Sequence, residues 1–78
     1  MKAAEKEKIR LSKTLLVLLN ELEEECLKTI KLSAMLKIHS LTDEQMEDLI
    51  GELSASVTHL KVHSEQLEHV IEKELDEN

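Results

Sequence analysis

The residues of this chain best equipped for chemistry are its histidines. Three of the four fall in one eleven-residue stretch, HLKVHSEQLEH, as His59, His63 and His69. His59 and His63 stand four apart, the spacing that brings two side chains to one face of a helix. Two imidazoles so placed form half of a zinc or iron site, and a further ligand is required. Glu23 is the candidate. It lies in the apolar arc of an upstream helix, and an antiparallel fold-back sets it level with about residues 57–59. His59, His63 and Glu23 are therefore a candidate metal site, with a partly buried Glu23–His59 hydrogen bond as the plainer reading of the same residues. On the heptad described below, His63 borders the apolar stripe, His59 sits further toward solvent, and His69 faces outward. The three histidines do not converge, and no cofactor is implied.

Other chemistry is sparse. Cys26 has no CxxC partner and falls in a core-facing arc, as a buried structural thiol does. The chain contains no glycine-rich phosphate loop, nucleophile elbow or HExxH. The expectation is a protein that is not an enzyme.

The elements that must position these residues are helical. Seventy-eight residues with no proline, one glycine and no aromatic make a small domain poor in large buried side chains. Domains of this size usually need disulfides, metal or partner chains for stability. A lone cysteine provides no internal disulfide. The N-terminus MKAAEKEKIR lacks an apolar signal region, and the longest apolar run, LLVLL at 15–19, is too short to span a bilayer. These features point to a cytoplasmic chain with no membrane partner. Ten basic and seventeen acidic residues give a net charge of −7, which argues against nucleic-acid binding through phosphates.

One punctuation mark divides the chain. In HSLTDEQM, Thr42 is a good N-cap, Asp43 and Glu44 suit a first turn, and Gln45 completes a capping box. Leu41 and Met46 are spaced for a hydrophobic staple. The pattern predicts helix one over about 3–38, a turn at 39–42 and helix two over about 43–75, two nearly equal arms forming one domain over 1–78. Residues 2–13 carry five basic and two acidic groups, whereas residues 65–78 carry six acidic and one basic. An antiparallel hairpin lays these opposite charges side by side.

Helix two repeats every seven residues. Ile50, Val57, Ser64 and Ile71 form one column, and Met46, Leu53, Leu60 and Leu67 the other, as expected of a coiled-coil seam. Leu49 and Val70 widen that stripe. On helix one, Leu15, Leu19, Leu22, Cys26 and Ile30 lie in an apolar arc covering about half the circumference. Val17, Leu32 and Met35 stray to another side, with Val62 out on helix two, as scattered surface residues do or as a groove for a partner helix. One neighbour cannot cover so wide an arc, so helix one is expected to touch its own helix two and a helix of a second chain. The predicted architecture is an all-α antiparallel hairpin that dimerises into a four-helix bundle.

In its length class, paired helices and short acidic turn, the chain resembles the Rop-like plasmid regulators, whose hairpins dimerise into antiparallel four-helix bundles and bind RNA. RNA binding in that family relies on a basic face with an aromatic. This chain has no aromatic and is acidic, so RNA-associated regulation ranks behind the other readings. The expected function is a homodimeric protein–protein interaction or regulatory module, with a metal-binding bundle as its rival.

Overall fold

The computed structural model of the chain describes residues 11–77. They form two helices, α1 (Lys13–Leu36) and α2 (Asp43–Glu77), folded back on each other as an antiparallel hairpin. No described residue belongs to a strand. No helix among them is long and apolar enough to cross a membrane.

Side chains set the helix ends. Ser12 is extended, with φ −73° and ψ 162°, and its Oγ accepts a hydrogen bond from the Leu15 amide at 3.1 Å. A serine N-cap satisfies one of the amides that the first turn leaves without a partner. Among the described residues α1 therefore begins at Lys13, and residues 3–10 of the predicted helix lie outside them. The Lys37 and Ile38 amides close the other end by donating hydrogen bonds to the Ala34 and Met35 carbonyls, both 3.1 Å. These tight i→i−3 bonds end the helix without a glycine. The arms are consequently unequal, 24 against 35 residues. α2 starts where its capping box places it. The Thr42 amide donates to Gln45 Oε1 at 2.9 Å, and the Gln45 amide donates to Thr42 Oγ1 at 3.1 Å.

The seam between the helices holds Leu15 and Leu32 from α1, and Leu49, Ser56 and Leu67 from α2, all buried. Seven-residue steps from Leu49 run through Ser56 and His63 to Val70. This column, together with Leu53, Leu60 and Leu67, is the side of α2 that meets α1. The sequence pattern put the column Ile50, Val57 and Ile71 in a combined core and dimer interface, and within the hairpin that column does not meet α1. All three are exposed, at 53%, 52% and 39% of their surface, as is Ile30 of α1 at 64%. Leu32, expected to stray from the core, is one of its most buried residues at 5%. The other members of the expected interface, Leu19, Leu22, Cys26, Met46, Leu53 and Leu60, are half-buried.

The molecule measures 60 × 23 × 14 Å, a slab one helix thick. Such a layer has two broad faces. Leu11, Leu15 and Leu19 line a groove with Ile71 and Leu75 on one of them. Helical periodicity adds Cys26 and Ile30 beside Leu19, and Val57 and Ile50 beside Ile71. On the other face, Lys28, Lys31 and Met35 of α1 flank Leu49 and Glu52 of α2. One face is thus an open apolar surface, and the other mixes Lys28, Lys31 and Glu52 with Leu32, Met35 and Leu49.

Candidate functional site

Two features stand out from this frame: a polar layer inside the seam and the open apolar face beside it. The polar layer begins at Ser56, whose side chain is wholly buried. Its hydroxyl donates to Glu25 Oε2 at 2.6 Å. With that hydrogen committed, Ser56 Oγ accepts from the Thr29 hydroxyl, also 2.6 Å away. The Thr29 hydroxyl is 2.8 Å from the Glu25 carbonyl as well, so its single hydrogen is shared between two acceptors. A chain of hydroxyls therefore links the backbone of α1 to a carboxylate through a residue of α2.

Histidines extend the layer toward the mixed face. His59 Nδ1 lies 3.6 Å from Glu25 Oε1, and His63 Nδ1 lies 3.9 Å from Glu21 Oε1. Both distances exceed hydrogen-bond range, so these are loose charge contacts. His63 Nδ1 is buried and has no hydrogen-bond partner. The Glu25 carboxylate is 13% exposed, and its pKa lies below the ordinary 4.5. The Ser56 hydrogen bond is the main cause. Desolvation opposes it, and His59, Lys28 and His63 favour the charged form.

The pairing also fixes the level of each residue. Glu21 stands beside His63 and Glu25 beside His59, which sets Glu23 level with Lys61 instead of residues 57–59. Glu23 is exposed and lies, with its neighbours Leu19, Cys26 and Ile30, toward the open face, away from the two histidines. The structure thus gives His59 and His63 the carboxylates Glu25 and Glu21 in place of Glu23. Among the described residues, no group of three or more His, Cys, Asp or Glu is arranged to hold a metal ion. His69 is exposed, and Cys26 is a half-buried free thiol.

Sequence reasoning missed Glu25, Thr29 and Ser56. A signal was present, because Ser56 and His63 stand seven apart on α2, and Glu25 and Thr29 four apart on α1. Only the rotation of α2 reveals that the two sets meet. Chemically, Ser56, Thr29 and Glu25 satisfy one another, while His63 Nδ1 is left without a hydrogen-bond partner. The open face joins Ile50, Val57 and Ile71 of α2 to Leu19, Cys26 and Ile30 of α1, with no covering element from the described chain.

Comparison with known proteins yields no match: no family model, no curated protein and no solved structure is similar to this chain at a significant level.

Proposed function

We propose that the protein is a non-enzymatic helical interaction module that works as a homodimer, two hairpins meeting through their open faces to form a four-helix bundle. The observation that carries this reading is the exposed column Ile50, Val57 and Ile71, continuous with Ile30 and the half-buried Leu19 and Cys26. Scattered apolar residues on a surface need no explanation, but a contiguous patch marks an interaction site. Its seven-residue spacing matches the knobs that a facing helix accommodates. A hairpin one helix thick gains a two-layer core only by adding a second layer, and a two-fold symmetric copy is the commonest way to do so.

The polar layer supports a structural role for Ser56, Thr29 and Glu25. Ser56, Thr29 and Glu25 engage one another across the seam, an arrangement that selects one pairing of the helices. A buried polar residue in a coiled-coil seam has the same effect on register.

Sedimentation equilibrium on the full chain tests the proposal. The expected mass is twice the 8.9 kDa of one chain, falling to a single chain when Ile50→Glu and Val57→Glu are combined. A helical, cooperatively melting monomer at about 100 μM, far above the Kd of a stable dimer, would refute it.

A further inference from the structure

We infer that the second copy docks with its turn at the same end as the first, so that each α1 lies along the partner's α2. This rests on the dimer reading above and adds an orientation to it. Two hairpins meeting through the same face have two symmetric choices. A two-fold axis along the bundle keeps the turns together and places α1 against the partner's α2. An axis across the bundle puts the turns at opposite ends, with α1 against α1 and α2 against α2.

Charges at the rim of the open face discriminate between these choices. Glu23, four residues after Leu19 and seven before Ile30, lies at the α1 rim. Lys61, four after Val57, lies at the α2 rim. Both are exposed, and the pairs Glu21–His63 and Glu25–His59 set them level. The same matching sets Lys37 level with Glu47, which precedes Ile50 by three. Within the hairpin none of these four forms an ion pair; the interhelical contacts of that kind among the described residues are those of His59 and His63.

With the two-fold along the bundle, α1 runs beside the partner's α2 at the level it keeps with its own. Glu23 then faces the partner's Lys61, and Lys37 faces the partner's Glu47, each contact occurring twice. With the two-fold across the bundle, through the middle of the face, Glu23 meets the partner's Glu23 and Lys61 meets the partner's Lys61. Lys37 moves to the end that holds the partner's Lys13. One orientation makes four attractive contacts, and the other sets like charges together. Complementarity of this kind chooses orientation even where each exposed pair adds little affinity.

A spin label at Ser40→Cys in a Cys26→Ala background reports the orientation directly. Turns at one end give an inter-label distance below about 25 Å, whereas opposite ends give on the order of 50 Å, the length of α2 at 1.5 Å per residue. Charge reversal checks the contact. Glu23→Lys should weaken the dimer about tenfold through two lost pairs and two new repulsions. Adding Lys61→Glu should restore it. A long distance, or a dimer indifferent to Glu23→Lys, would overturn the orientation while leaving the dimer intact. A wild-type monomer in the same sedimentation series would overturn the dimer reading, and this inference with it.

Discussion

Replacing Ser56 with alanine tests the polar layer more sharply than any other single change. The hydroxyl is completely buried and takes part in two contacts of 2.6 Å, one to Glu25 and one to Thr29. Each net hydrogen bond contributes about 0.5–1.5 kcal/mol, and a buried group left without its partner costs about 1–3 kcal/mol. Ser56→Ala removes only one oxygen, so little cavity forms. The expected loss is about 1–3 kcal/mol at neutral pH, a fall of about 5–15 °C in melting midpoint for a domain this small. Far-UV circular dichroism in urea and on heating measures it, at matched protein concentrations because association adds to apparent stability.

The pH dependence of the same comparison carries a second, independent signature. Glu25 has its pKa lowered in the folded chain, chiefly by Ser56. A group of that kind adds stability above its unfolded pKa, here near 4.5, and the contribution disappears as pH falls through the lower folded value. The difference between wild type and Ser56→Ala should therefore be greatest near neutrality and shrink on acidification through the carboxylate range. A Ser56→Ala protein as stable as wild type at pH 7, or a difference that does not change on acidification, would refute the bridging role of this hydroxyl.

Three further outcomes follow from the packing. Leu32→Ala, at a site only 5% exposed, should cost about 2–4 kcal/mol in urea denaturation, far more than a stray surface leucine would. Thr42→Ala removes one half of the reciprocal cap with Gln45 and should cost about 1 kcal/mol, with hydrogen exchange speeding first in the opening turn of α2. Replacing Glu25, Thr29 and Ser56 together with Leu, Val and Ala should leave the hairpin as stable as wild type or more so, while broadening NMR signals along the seam if the polar layer is what holds its register.

Local features were the readable part of the sequence. The start of α2 is written in residues 41–46, because a reciprocal cap and a staple need only neighbours in the chain. The deeper placement of His63 than of His59 follows from one helical repeat, and side-chain exposure rises from 24% at His63 to 56% at His59. The helix-one stop at Ser12 was harder to see. Its predecessors LysIleArgLeu carry good helix formers, and only the hydroxyl's bond to the Leu15 amide marks the boundary. The level of Glu23 was misplaced because the turn sets the offset between the two helices, and no residue of the local sequence states it; the pairs Glu21–His63 and Glu25–His59 do.

The rotation of α2 was the least legible feature, and the cause is physical. Leu53, Leu60 and Leu67 form a column that either flank can join to make a coiled-coil seam. Ranked by apolarity, the flank with Ile50, Val57 and Ile71 wins over the flank with Ser56 and His63. The hairpin turns the more polar flank inward because α1 answers it, with Glu25 and Thr29 at Ser56 and Glu21 near His63. Burial of a hydroxyl costs little once it is hydrogen-bonded, and a great deal otherwise. Met46 and Leu49 above and Leu67 and Val70 below the layer supply the apolar contact that the polar flank lacks. The greasier flank is then left for whatever completes the bundle, and a second copy of the same chain offers it an identical surface. On this reasoning the polar layer and the open face are linked. Making residues 25, 29 and 56 apolar removes the reason for α2 to prefer its present rotation, so the triple variant should also weaken the dimer even as it stabilises the hairpin. A dimer of unchanged affinity in that variant would show that the rotation is set by the leucines alone.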